Sequence, residues 1–204
     1  MRGKAGTVAR SGEGGIMSTK GMGPELGGRK VTLRRPRLVD APQLESRISD
    51  AAVVRWTIRI PHPYPRGGAG RFIRSSWSLW ARGRAYIFAI FVDDEACGVI
   101  SLSNVSVEHG CGELGYWLGR DRWGQGVMTE AVDLMLRFAF RDLGLYRIYA
   151  STFAANTASC RVLEKCGFQR EGTLREAVVR HGARQDFLQY GLLRPEYEAG
   201  AKSP

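Results

Sequence analysis

Apolar residues along the chain fall into two rhythms, alternation or short continuous runs in some stretches and three-to-four spacing in others, and the changes between them mark the elements. Val31 to Arg34 predicts a short strand. Helical spacing follows Asp40, a candidate N-cap, with Pro42 in the first turn. Arg55 to Arg71 contains Pro61, Pro63, Pro65 and the Gly67-Gly68 pair and predicts a loop. A helix carrying Phe72, Ile73, Trp77 and Trp80 comes next, and aromatics at that spacing point to Trp77 and Trp80 as core residues.

Tyr86 to Val92 is a continuous apolar run, Asp93-Asp94-Glu95 a turn, and Cys97 to Ser103 a second β-rich run, together an antiparallel hairpin. A third strand, Glu113 to Leu118, follows the His109 to Gly112 turn. The glycine-rich stretch Gly119 to Gly126 then opens a helix whose Val127, Ala131, Leu134, Met135 and Phe138 share one face, with Gly144 as its stop. Leu145 to Thr152 predicts a strand, and Asn156 the N-cap of a short helix ending at Cys166 and Gly167. Glu176 to Arg180 and Asp186 to Leu193 predict a closing hairpin around His181-Gly182. The order of elements predicts an α/β protein with a mixed sheet and helices on its faces.

Length adds the domain count: 204 residues with 44% hydrophobic positions suit one domain with an extension. Residues 1–29 hold nine glycines and almost no periodic apolar positions, so a disordered tail is expected there, a domain over 30–197 and a second tail over 198–204. No apolar run approaches the roughly 20 residues of a membrane span, so a soluble, cytoplasmic protein without membrane contact is expected. The formal charge of +10 is local: residues 1–37 carry nine Lys or Arg against Glu13 and Glu25, leaving the rest of the chain nearly balanced. Such a basic arm is either a solvated tail or a weak contact to RNA or the ribosome. Cys97, Cys111, Cys160 and Cys166 form no CxxC pair and the three histidines no ligand spacing, which argues against metal and against a disulfide framework.

Candidate chemistry concentrates in the strand, glycine turn and helix from Glu113 to Val132. Gly124 and Gly126 let the backbone approach a ligand, and the free amides of a helix N-terminus favour an anion, a pyrophosphate above all. The stretch lacks the Lys-Ser/Thr of a P-loop, and Thr129 stands where a dinucleotide fold needs its third glycine. It resembles motif A of the GNAT acyltransferases, Q/R-x-x-G-x-G/A after a strand. Downstream, Asn156-Thr-Ala-Ser-Cys-Arg-Val-Leu-Glu-Lys-Cys-Gly-Phe168 is similar to the N-x-x-S-x-x-x-L-E-K-x-G-F signature of the ribosomal-protein N-terminal acetyltransferases of RimJ/RimL type. The resemblance runs from about Val31 to Tyr197. It implies a GNAT-like fold, a mostly antiparallel sheet splayed at the cofactor strand with helices on both faces, and acetyl-CoA as cofactor. By the same resemblance, backbone groups of Trp117, Leu118 and Gly119 would hold the pantetheine arm. Amides of Arg122, Trp123, Gly124, Gln125, Gly126 and Val127 would hold the pyrophosphate, and Asn156 would bond the cofactor. Three positions depart from the pattern. Asp121 stands at the Q/R position, Leu163 where many relatives place a tyrosine acid, and Val178 where the RimJ/RimL branch often has glutamate.

Acetyl transfer from a thioester to an amine needs a base, an oxyanion donor and a proton for the thiolate. Glu113 is the candidate base, its alternative a solvent-facing strand residue. A backbone N–H from Tyr116 to Leu118 would meet the oxyanion. Ser159 is the candidate donor to sulfur and a cofactor contact, its alternatives a relay from water or an early-helix serine satisfying backbone groups. No nucleophile motif is visible, which points to direct transfer in a ternary complex. Trp56 and Tyr64 are candidate walls of the acceptor pocket. The acceptor is expected to be the α-amine of a protein or peptide. A small amine (aminoglycoside, polyamine or amino acid) and a noncatalytic acyl-CoA-binding or RNA-binding module remain as alternatives, and the protein is expected to be a monomer or homodimer.

Overall fold

The computed structural model describes residues 23–180 and 182–200. Its elements in chain order are β1 (Leu26–Gly27), β2 (Thr32–Arg34), α1 (Ala41–Ile48), α2 (Ala51–Val54), α3 (Gly68–Ala81), β3 (Tyr86–Val92), β4 (Glu95–Ser106) and β5 (Cys111–Leu118). There follow α4 (Val127–Arg137), β6 (Arg147–Phe153), α5 (Thr157–Lys165), β7 (Gln169–Arg180), β8 (Ala183–Leu193) and α6 (Arg194–Gly200). Among the described residues the strands form one eight-stranded sheet in the order β1-β2-β3-β4-β5-β6-β8-β7. Every neighbouring pair is antiparallel except β5 with β6. The mixed α/β architecture expected from the pattern is therefore the one observed.

Period-two alternation places two cores on the two faces of the sheet. Phe88, Ile90, Leu114 and Leu118 face one side, where α4 contributes Ala131, Val132 and Met135 and α5 contributes Leu163. Ile87, Ala89 and Phe91 face the other, against Leu44 of α1 and Ala69 and Ile73 of α3. Helices thus cover both faces, as the amphipathic spacing of α1, α3 and α4 requires.

Several boundaries differ from expectation, each for a reason outside the local sequence. The structureless stretch expected over 1–29 does not reach 29: Leu26 is only 4% exposed and pairs with Leu33 across β1 and β2. Glu130 of α4 caps this turn, its Oε1 accepting from the amides of Arg29 and Lys30. Residues 1–22, with most of the expected tail, lie outside the described residues, as do His181 and 201–204. The loop expected over Arg55 to Arg71 closes earlier, because α3 starts at Gly68. Glu45 of α1 supplies the missing cap, accepting from Gly67 N at 2.9 Å and Ala69 N at 3.2 Å. Asp40 precedes α1, but its carboxylate does not cap that helix. Only 5% exposed, it takes two hydrogen bonds from Arg34, at 3.0 and 2.9 Å, and one from Arg37 N at 2.7 Å. Trp80 packs edge-on against Tyr86 and Phe88 as a core residue. Trp77 does not join the core: it is 37% exposed and donates Nε1–H to Pro36 O. The last two strands are longer than the expected hairpin and bulge between Leu174 and Val178.

Candidate active site

Strands β5 and β6 pair only over Cys111–Arg147, Gly112–Ile148 and Glu113–Tyr149. Beyond that point β5 continues with β4 to Leu118 and β6 continues with β8 to Phe153, so the sheet opens into a split. The ladder's phase decides which backbone groups face it. Gly119 N donates to Cys97 O at 2.8 Å. In an antiparallel ladder alternate residues bond the same neighbour, so Trp117 and Gly115 turn their backbone to β4, and the N–H groups of Tyr116 and Leu118 turn toward the split. This redistributes the expected cofactor contacts. Trp117 and Gly119 have their amides on the β4 side, while Leu118 keeps an amide toward the split and gives its carbonyl to Trp123 Nε1 at 2.8 Å.

The glycine turn closes the wide end of the split. Arg122 N and Trp123 N donate to Gly119 O and Arg120 O in a 3-10 turn, so these two amides, expected to face an anion, are already used. Trp123 serves instead as a peg holding the turn to β5. Gln125 adds a second lock, its Nε2 donating to Asp121 O at 2.9 Å. Gly124 and Gly126 have φ of +74° and +79°, and a Cβ on either would meet nothing within 4 Å. Glycine is required at both for conformation, and the space above them is open. The first amide of α4 with an intrahelical partner is that of Glu130, bonded to Gly126 O at 3.1 Å. The amides of Val127, Met128 and Thr129 ahead of it have no such partner, and no side chain caps them. Uncapped donors at the head of an 11-residue helix, reached past the open Gly124 and Gly126, suit the diphosphate of coenzyme A.

Asp121, an acid beside this anion site, is accounted for by Arg47, which sequence reasoning missed. Arg47 Nη2 lies 3.1 Å from Asp121 Oδ2 and 3.0 Å from Glu95 Oε2, and its Nη1 donates to Ala96 O. Arg122 joins the network through Glu95 at 3.1 Å and Asp93 at 3.6 Å, so its side chain points to these carboxylates.

On the α5 side of β5, Tyr116 OH lies 2.9 Å from Ser159 Oγ and 3.4 Å from Ser159 O. Asn156 caps α5, its Oδ1 accepting from Ser159 N at 3.2 Å, which leaves the Asn156 Nδ2 for a ligand. Burial pushes the Tyr116 phenol well above its ordinary range, against the opposing pull of its bond with Ser159. Leu163, one turn on, is buried in the core. Tyr116, read from sequence only as a backbone donor, has a side-chain role the sequence did not single out: an aromatic in a strand carries no signal of a partner 43 positions away.

Glu113 sits where the β5–β6 pairing ends, on the opposite face of β5 from Tyr116. Its Oε2 accepts from Asn104 Nδ2 at 2.7 Å. Trp117, on the same face as Glu113, and Tyr64 both pack against the core beneath α1 and α2. Trp56 stands at the far end of the split, its ring 6.2 Å from Phe153, the last residue of β6. Arg180 near the tip of β7 donates Nη2 to Val54 O at 3.0 Å and Ile60 O at 3.2 Å, clasping the loop that carries Trp56 and Tyr64. Among the described residues no three side chains form a metal-binding group, and no helix is long and apolar enough to cross a membrane.

This geometry agrees with comparisons to known proteins. Residues 30–169 match the family described as the acetyltransferase (GNAT) domain. An uncharacterized N-acetyltransferase p20 of Bacillus licheniformis is 34% identical over 170 residues, covering 82% of this chain and 95% of its own. The Escherichia coli [ribosomal protein uS5]-alanine N-acetyltransferase is 31% identical over 143 residues, covering 68% and 73%. Mycobacterium smegmatis RimJ, solved with CoA-disulfide, superposes with a TM-score of 0.76 at 28% identity, covering 81% of this chain and 83% of its own. The chain belongs to the GNAT acetyltransferase family and is an N-acetyltransferase.

Proposed function

We propose that the protein transfers an acetyl group from acetyl-CoA to the α-amine of a protein or peptide N-terminus, by direct attack in a ternary complex in the cytoplasm. The observation that carries this reading is the split between β5 and β6, closed at one end by the uncapped α4 and flanked by Glu113 on one face and Ser159 on the other. The alanine-specific ribosomal-protein relative supports an N-terminal amine as acceptor.

When bound, acetyl-CoA supplies the activated acyl group as a thioester. The amides of Gly124 to Thr129 would hold its diphosphate, and Asn156 Nδ2 would bond the arm that follows. The amide of Tyr116 or Leu118, fixed by the ladder, would donate to the acyl oxygen as charge develops there. Glu113 takes the proton of the incoming amine, whose pKa near 7.7–8.0 demands only a modest base. Ser159 Oγ gives a proton to the departing sulfur. Trp56 and Tyr64, clasped from behind by Arg180, form walls on the acceptor side. Incubation with acetyl-CoA and peptides differing in their first residue, read by mass spectrometry, tests the reading. Acetylation of a peptide α-amine is expected; acetylation of polyamines or aminoglycosides alone would overturn it.

A further inference from the structure

Resting on the reading of Ser159 as the donor to sulfur, we propose that Tyr116 is its positioning residue. The phenolic O–H donates to Ser159 Oγ, so the serine's own proton is left to turn into the split toward the departing sulfur.

Three observations converge on this arrangement. The phenol oxygen lies 2.9 Å from Ser159 Oγ, against 3.4 Å from Ser159 O, which competes for the single phenolic proton only at the longer distance. A phenol is a stronger acid than an aliphatic alcohol and a poorer acceptor, since its lone pair is shared with the ring. The shorter contact is therefore best made with Tyr116 as donor. The backbone of Ser159 is tied down separately, its amide donating to Asn156 Oδ1 at 3.2 Å and its residue held in the first turn of α5. With backbone fixed and oxygen held by Tyr116, only the hydroxyl hydrogen remains to be placed. Ser159 is half-buried and so retains an open side.

Burial keeps the phenol protonated, and therefore a donor, across the working pH range. An isolated serine in an early helical turn tends instead to donate back to a carbonyl of the preceding turn, which would withdraw its proton from the reaction. Tyr116, by donating to that oxygen, restricts the serine hydrogen to the remaining directions about Oγ, one of which leads into the split. As the carbon–sulfur bond breaks and its electron pair moves to sulfur, the Ser159 proton completes the thiol. The serine oxygen, still accepting from Tyr116, takes its replacement proton from solvent water as its own leaves, so that no free alkoxide stands beside the phenol.

Tyr116→Phe, Ser159→Ala and the double variant provide the test, assayed by thiol release from acetyl-CoA. The acceptor is the amine that turns over fastest, or water if none does. Tyr116→Phe should lower kcat about tenfold, with KM for acetyl-CoA within about twofold, a fraction of what a general acid contributes. In the Ser159→Ala background the same change should cost nothing more. A readout without cofactor comes from tyrosine labelled with carbon-13 at Cζ: the Tyr116 resonance of the ligand-free protein should shift in Ser159→Ala and stay in place in a Ser46→Ala control. Ser159→Ala at the wild-type rate would sink the reading of Ser159 and this proposal with it. A slow Ser159→Ala beside a normal Tyr116→Phe, fully multiplicative losses in the double variant, or an unmoved Tyr116 resonance would overturn the proposal alone.

Discussion

Gly126 offers the sharpest single perturbation, because conformation and space can be separated there. Its φ of +79° lies in the left-handed region, yet an added Cβ would meet no atom within 4 Å. Gly126→Ala therefore causes no clash, and its cost is that of forcing an L-residue with a Cβ into that conformation, about 1–2 kcal/mol. For a domain of this size each kcal/mol moves the melting temperature by about 2–4 °C, so a fall of about 2–8 °C is expected. Asparagine tolerates positive φ, so Gly126→Asn should lose distinctly less stability than Gly126→Ala. If the alanine variant relieves its strain by turning the peptide, the α4 amides lose their common aim. Acetyl-CoA should then raise its melting temperature by less than it raises that of the wild type. Thermal unfolding with and without acetyl-CoA measures both effects. Equal losses for alanine and asparagine, or no loss for either, would refute the conformational argument.

Three further outcomes follow from the same geometry. Arg47→Ala leaves Asp121 beside the anion site with only its 3.8 Å contact to Arg122, so acetyl-CoA binding should weaken several-fold while kcat is spared, and adding Asp121→Asn should restore it; calorimetric titration distinguishes this from a loss that Asp121→Asn leaves untouched. Glu113→Gln should lower kcat by about 10- to 100-fold, with KM for acetyl-CoA little changed, and a rate near wild type would remove Glu113 as base. The Glu45 carboxyl is held below its usual range by the amides of Gly67 and Ala69, so its cap on α3 is intact above the ordinary carboxylate pKa and is lost as pH falls through the lowered one. Hydrogen exchange at Ala69 should accelerate relative to the intrinsic rate over that acidic window, and Glu45→Gln should abolish the pH dependence.

What could be read ahead of the structure was whatever a residue announces to its own neighbourhood. Gly124 and Gly126 before an amphipathic run signal a turn feeding a helix, and the helix cap at Asn156 is a local contact to Ser159 N. What stayed hidden depends on partners distant in sequence. The cap on α3 comes from Glu45, and the anchoring of β1 comes from Glu130 about a hundred positions away. Asp40 looked like the cap of α1 because Asp is a good cap, but a buried pair with Arg34 competes for the same carboxylate. The Arg122 and Trp123 amides expected at the anion are used inside a 3-10 turn, and Gly119 N is used on the β4 side, because motif resemblance carries neither the bonds of the turn nor the phase of the ladder. One hydrogen bond, Gly119 N to Cys97 O, decides which side of β5 faces the split. Tyr116 and Arg47 act through side chains that no motif spacing brings together.

Backbone amide NMR of the nitrogen-15-labelled protein, titrated with acetyl-CoA, reaches the heart of the matter. Saturable shifts should concentrate at Gly124 to Thr129 and at Tyr116 and Leu118, with Trp117 and Gly119 moving less. Shifts confined to other surfaces, or none at millimolar acetyl-CoA, would contradict cofactor binding in the β5–β6 split.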